Sequence, residues 1–463
     1  MKTTLLYGGT LVTGKECGPG AVLIAGDRIA GVYFENGGDG KDRACIEEWK
    51  GKADERVDVA GKIIMAGGID AHVHFREPGM SHKADMETES RAALLGGVTS
   101  FIDMPNTKPA TVTLESVEEK AAMAAGRSYA NYGFHLGATN DNLGELEDAA
   151  GNHGKDFGGI KVFMGSSTGN MLVDSEETLE GIFSIKGKPV LVHCEDELTI
   201  RDNLAREMER YGQEIPFGMH PEIRSRRACI LSSARALELA MDKGTALHLL
   251  HVSTAEELKM AAAAKVHNPH ITVETSANYL WFSDKDYDRL GSRVKCNPSV
   301  KTEADRAALR EGLKSGVVDT IGSDHAPHLP SEKEGGYCNA PSGMPSIQQA
   351  LPVLLTVAAE EGIPLTRITE AFSEKAAEIF RIKDRGRLQA GYFADIVVAD
   401  PAAEDTVTKE GLLYKCGWSP YEGCRLKGKV ETVFVNGETA VRNGTVAEKP
   451  YGRRLIFGQD CTR

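Results

Sequence analysis

The chain has 463 residues, with 67 acidic against 54 basic side chains and a net charge of −13; no basic stripe stands out, which argues against nucleic acid as a partner. A hydrophobic content of 41 % excludes disorder, and 50 glycines without a triplet period exclude collagen. Nine scattered cysteines with no CxxC pair read as reduced thiols of a cytoplasmic protein, not as a disulfide framework or a zinc finger.

The N-terminus breaks at Gly8 and Gly9 before a signal-peptide core could form. The longest apolar stretch, near Ala350–Ala359, is too short to span a bilayer and contains Pro352, so no membrane is expected as a partner. An acidic chain that binds an anion must carry positive charge at the site itself.

The first ~60 residues (TTLLYGGTLV, AVLIAGDRIAGVYF, VDVAGKIIMAGG) alternate and are punctuated by glycine, as short strands and turns are, with no convincing amphipathic helix. Eight apolar runs follow: 69–75, 98–104, 132–138, 160–165, 189–194, 246–252, 271–275 and 318–324. Helix-like segments lie between them: Leu114–Gly126 with Thr113 as cap, Ser225–Asp242, Ala255–Lys265 and Thr302–Lys314. Alternating strand and helix predicts a parallel sheet, and eight strands suggest a (β/α)₈ barrel. Counting alone does not separate that from a doubly wound open sheet. The last ~70 residues (ADIVVAD, VETVFVNGETAVRNG) again read as strands. Each end is too thin for its own core, so the two are expected to pair into one β domain.

Polar residues cluster at the C-terminal ends of the runs, where barrel enzymes place their chemistry. In a strand, His72 and His74 share a face and can meet one metal. His193 ends PVLVHC and His251 ends ALHLLHV. His248 should face away from His251 and is read as structural. Asp324 ends VDTIGSD. Singly, each reads as an ordinary core, loop or cap residue; jointly, four histidines and an aspartate at the ends of strands 1, 5, 6 and 8 point to a metallohydrolase. Zinc suits this set, and so do manganese and cobalt. Lys161 lies inside strand 4; an ammonium offers a metal no lone pair, whereas a lysine carbamate would bridge two ions. Edge exposure or a carboxylate partner are its other readings. Arg76, Asn106 and His328 could supply the donors an anionic ligand needs. The segment 329–345, rich in Gly, Pro and Ser, is either a solvated loop or a wall or lid over the site.

The run GGIDAHVHFREPGMSHKADMETESRAALLGGVTSFIDMPNTKP resembles the cyclic amidohydrolases, and among them the dihydroorotases; VHCED, LLHVST, the CNPS turn and GSDHAPH follow in the same order as in that family. The resemblance covers nearly the whole chain. It implies a metal-containing barrel beside a composite β-sandwich built from both chain ends, with boundaries at 1–65, 66–391 and 392–463. It implies two zinc ions: His72 and His74 on the first, His193 and His251 on the second, and a carbamylated Lys161 bridging them. Asp324 would bind the first metal and shuttle the proton. Arg76, Asn106 and His328 match positions that hold the substrate carboxylate and ring, with Asn297 of CNPS as a further contact.

Allantoinases and hydantoinases also resemble this chain but generally lack the REPG arginine and MPNT asparagine, both present here as Arg76 and Asn106. That favours a ring that carries a carboxylate, and the resemblance then implies reversible interconversion of N-carbamoyl-aspartate and dihydroorotate in pyrimidine synthesis; a homodimer is the expected assembly for such an enzyme. CNPSVKT and SANYL depart from the usual family segments, which weakens the carry-over near Asn297 and Asn278. A catalytically dead scaffold would lack metal ligands, whereas every expected position is filled.

Overall fold

The computed structural model describes residues 1–36, 40–165 and 171–458. Its centre is a parallel barrel. We number its strands β1 Gly68–Val73, β2 Val98–Asp103, β3 Asn131–Phe134 with Leu136–Gly137, β4 Ile160–Phe163, β5 Val190–His193, β6 Leu247–Leu249, β7 Thr272–Ser276 and β8 Thr320–Gly322. Nearly every strand residue is buried, as expected when helices cover one face and the barrel interior the other. The third run is not one strand. At His135 it changes partners: the His135 N–H donates to Asp103 O, and the Leu136 N–H donates to Gly159 O.

Closure separates this fold from an open sheet. Val73 bridges His325 in parallel register, the His74 N–H donates to His325 O at 2.8 Å, and the Ser323 N–H meets the Asp70 carboxylate at 3.2 Å. The last strand is thus fastened to the first at the end where the histidines sit.

Helices start where side-chain oxygens can take the free backbone N–H groups. Asp85, Thr113, Thr254 and Thr302 each close a reciprocal capping box, and Ser225 caps Arg226–Lys243. The observed helices Leu114–Ala124, Ala255–His267 and Glu303–Ser315 lie within two residues of their sequence-based bounds.

Strands from both ends of the chain form one nine-stranded sheet. Its seam is the antiparallel pair Ile63–Ala66 and Ile396–Thr406, with Ile63 opposite Ala399 and Ala66 opposite Ile396. The first of these strands runs directly into β1. One element differs from the sequence reading: Lys41–Lys52 is a helix inside the first segment. Only Ile46 of that helix is buried, so it has almost no apolar face for periodicity to reveal, and ion pairs Lys50–Glu47 and Lys52–Glu48 line its surface. Among the described residues all cysteines are free, Cys461 lying outside them, and no helix is long and apolar enough to cross a membrane.

Candidate active site

A cleft of about 270 Å³ opens at the C-terminal end of the barrel, lined by His72, His74, Arg76, Asn106, Lys161, Phe163, His193, Arg224, His251, Asn297, Asp324 and the segment Pro341–Gly343. Nine of the ten residues singled out in the sequence therefore share one cavity. The tenth, His328, stands one layer behind.

Asp324 is the hub of the first group. His72 Nε2 lies 3.4 Å and His74 Nε2 3.2 Å from its Oδ1, and the ligand atoms of all three lie within 4.8 Å of one another. The opposite ring nitrogens explain this aim. His72 Nδ1 donates to Glu274 Oε1 at 2.6 Å, and His74 Nδ1 donates to Asn106 Oδ1 at 2.8 Å. With Nδ1 carrying the proton, each Nε2 presents its lone pair to the cluster. Gly322 leaves room for this pairing, since a Cβ there would fall 2.8 Å from the Glu274 carboxyl.

The second group stands beside the first, with the His72 and His251 ring centroids 5.1 Å apart. His193 Nε2 donates to the fully buried Glu195 at 3.0 Å, which turns Nδ1 toward His251 Nε2, 2.8 Å away. In this contact His251 Nε2–H donates to His193 Nδ1; with the proton on His251 Nδ1, which has no hydrogen-bond partner among the described residues, both nitrogens would offer lone pairs to a cation. Burial, above all, lowers the proton affinity of His74, His193 and His251, so these rings are available as neutral ligands. Burial pushes the Asp324 carboxyl up, but His72, His74 and Lys161 outweigh it and hold the group ionised.

Lys161 is 1 % exposed and makes no ion pair among the described residues; its Nζ lies 4.5 Å from the Phe163 ring centroid. Burial brings its ammonium down to about 7. Neither edge exposure nor a carboxylate partner describes it.

Arg76 is buried, its Nε donating to Pro327 O at 3.0 Å, and burial lowers its pKa to about 10, so it stays charged at neutral pH. Behind it, His328 Nε2–H meets Ser342 O at 3.1 Å and its Nδ1 accepts from Lys83 Nζ at 3.1 Å. Burial and the neighbouring Arg76, Lys83 and Lys333 hold that imidazole neutral. Asn297 presents a buried Oδ1 with no hydrogen-bond partner among the described residues.

The segment 329–345 is pinned. Lys333 Nζ donates to Pro341 O at 2.7 Å and Gly343 O at 2.9 Å, and Lys295 Nζ donates to Tyr337 O and Ala340 O, each at 2.6 Å. The geometry is that of a fixed wall.

Sequence reasoning missed four residues. Glu195 was findable, two residues past His193 at the end of β5; Glu274, a lone carboxylate inside β7, carries no sign of its partners. Arg224 and Lys83 come from connections that carry no periodic signal. His248 departs from strand alternation. His251 lies past the end of β6 with φ 38°, so the backbone turns and both rings face inward, His248 donating or accepting at Thr272 Oγ1, 2.8 Å away.

Residues 63–440 match the Amidohydrolase family. The chain belongs to that family. An allantoinase of Rubrobacter xylanophilus is 33 % identical over 94 % of this chain and 95 % of its own length. A dihydroorotase of Methanosarcina mazei is also 33 % identical, over 88 % of this chain and 90 % of its own. Among solved structures, the L-hydantoinase (dihydropyrimidinase) of Arthrobacter aurescens aligns with a TM-score of 0.89 at 26 % identity, covering 98 % of this chain and 100 % of that one. This amidohydrolase is accordingly a hydrolase of the cyclic amidohydrolase group, with a barrel and a β domain, and its His72, His74 and Asp324 form a group able to hold a divalent metal.

Proposed function

We propose that this amidohydrolase is a dihydroorotase, acting reversibly on dihydroorotate and N-carbamoyl-aspartate in pyrimidine synthesis. Overall identity does not favour it over allantoinase, since relatives of both names are 33 % identical to the chain. The observation that carries the reading is the buried guanidinium of Arg76 in the same cleft as the imidazole–carboxylate cluster, with Asn106 beside it. A buried arginine fork suits a carboxylate on the ring, and a neutral hydantoin or allantoin ring has none to offer it.

His72, His74 and Asp324 would hold one zinc ion and His193 and His251 a second. Lys161, about half deprotonated at pH 7, would bridge them as its carbamate. When bound, such a pair supplies Lewis acidity and a water acidic enough to be ionised near neutrality. The chain's own residues do the rest. Arg76 and Asn106 fix the substrate carboxylate and so set the position of the ring carbonyl. Pro327 O, which accepts from Arg76 Nε, holds that guanidinium in place, and His328 backs it as a neutral ring. Asp324, ionised and at the centre of the cluster, takes the proton of the attacking water and delivers it to the leaving amide nitrogen. Asn297 Oδ1 would accept a ring N–H.

The test is turnover of dihydroorotate, allantoin and hydantoin by one sample whose metal content is also measured. Dihydroorotate should be the preferred substrate. Preference for allantoin or hydantoin would transfer the site to that activity, and activity without metal would remove the assigned ligand roles.

A further inference from the structure

We propose that Arg224 forms a second carboxylate subsite of the cleft, one that receives the carboxylate created when the ring opens. This rests on the reading of the site as one for a cyclic amide that already carries a carboxylate at Arg76. Hydrolysis adds hydroxide to the ring carbonyl carbon and a proton to the amide nitrogen as the C–N bond breaks. The resulting acid releases a proton, so the open form carries one more negative charge than the ring.

Arg224 follows the short helix His220–Ile223, in the connection between β5 and β6. Its backbone is held at both ends: its N–H donates to His220 O at 2.8 Å, and its carbonyl accepts from Ser299 Oγ at 2.9 Å. The side chain lines the cleft and is 12 % exposed. Its Nη1 is ion-paired to Glu195 Oε2, the same oxygen that accepts from His193 Nε2.

This places Arg224 one residue removed from the His193–His251 pair, whereas Arg76 follows His74 and belongs to the other group. A brace for Glu195 needs a cation but uses only Nη1. Nε and Nη2 make no hydrogen bond to any described residue, which leaves donors for a ligand in the cleft. Two arginines thus line one cavity from its two metal-ligand groups, matching a dicarboxylate better than a monocarboxylate.

The test compares the metal-loaded wild type with Arg224→Lys and Arg224→Met, assayed in both directions with metal content measured. Lysine keeps the pairing with Glu195 but loses the planar fork. The KM of the open dicarboxylate should rise about tenfold in Arg224→Lys and more in Arg224→Met, the scale of one charge-assisted hydrogen bond, while the KM of the ring stays within about twofold. Equal rises in both KM values, or loss of metal as the sole effect in both variants, would reduce Arg224 to a brace and overturn the proposal.

If the wild type does not turn over dihydroorotate, the proposed function fails separately. The subsite is then judged by inhibition of whichever cyclic amide is hydrolysed. Stronger inhibition by succinate than by butyrate, lost in Arg224→Lys, supports it. Equal inhibition by the two acids in the wild type overturns it.

Discussion

The two sides of the cleft are held in place by different means. The histidine–aspartate cluster stands at the ends of barrel strands, and its backbone is set by the β-ladder and by closure through Asp70 and His325. Arg76, His251 and Asp324 sit there with φ of 66°, 38° and 47°, a conformation that costs of order 1–3 kcal/mol per residue and persists only where the surroundings enforce it. The opposite wall, made by Arg224, Asn297 and Pro341–Gly343, comes from connections with no ladder. Buried side chains hold it instead. Lys333 and Lys295 bind carbonyls of the 329–345 segment, and His220 joins Tyr337 Oη at 2.7 Å to Cys296 O at 2.8 Å. Backbone geometry thus fixes the cluster together with Arg76, and buried side chains fix the facing wall. Damage to one side should leave the other's readout nearly intact.

The largest effect is expected at the hub of the cluster. Asp324→Asn keeps an oxygen ligand but removes the proton acceptor, so kcat should fall about 10²–10⁴-fold, the range of general acid–base catalysis. Metal content and substrate KM should change little. Near-normal turnover would remove the proton shuttle from Asp324 and with it the claim that this side carries the chemistry.

A smaller effect is expected one layer out. Glu274 is fully buried; it fixes the His72 tautomer at 2.6 Å and accepts from the His251 backbone N–H at 3.3 Å. It therefore touches both ligand groups without facing the cleft. Glu274→Gln should weaken metal binding roughly 10–100-fold, as loss of such outer partners does. Metal titration of the purified variant checks this. Unchanged affinity would mean that the strand ends alone orient the rings.

This same contrast governs what could be read from the sequence. The alternating strands and helices and the cluster were legible because strand and helix periods are local: His72 and His74 share one strand face, His193 and Asp324 each end an apolar run, and Thr113 announces its helix; closure into a barrel was read from the family resemblance. Glu274 was hidden because one carboxylate inside ITVET gives no sign of its partners, which lie 202 residues away for His72. Arg224 was hidden for a stronger reason. It lies in an aperiodic connection, and only the fold brings it to Glu195. The family resemblance placed Asn297 and His328 near the substrate, but it did not tell that His328 stands behind Arg76. The helix Lys41–Lys52 escaped because it buries a single side chain.

The smallest effect should come from the wall. Lys333 is 4 % exposed, and burial brings its ammonium down to about 7. Its donors are spent on carbonyls that no β-strand neighbour could satisfy. Lys333→Met preserves the volume of the side chain but leaves Pro341 and Gly343 carbonyls unpaired, at a cost of about 1–3 kcal/mol each when buried. The segment should loosen and become cleavable by a protease that spares the wild type. Catalytic efficiency should fall about tenfold, nearly all of it in KM, because the wall positions the substrate while the cluster performs the reaction. A parallel fall in kcat would show that the wall also shapes the cluster, and the division between a ladder-held cluster and a side-chain-held wall would no longer describe this cleft.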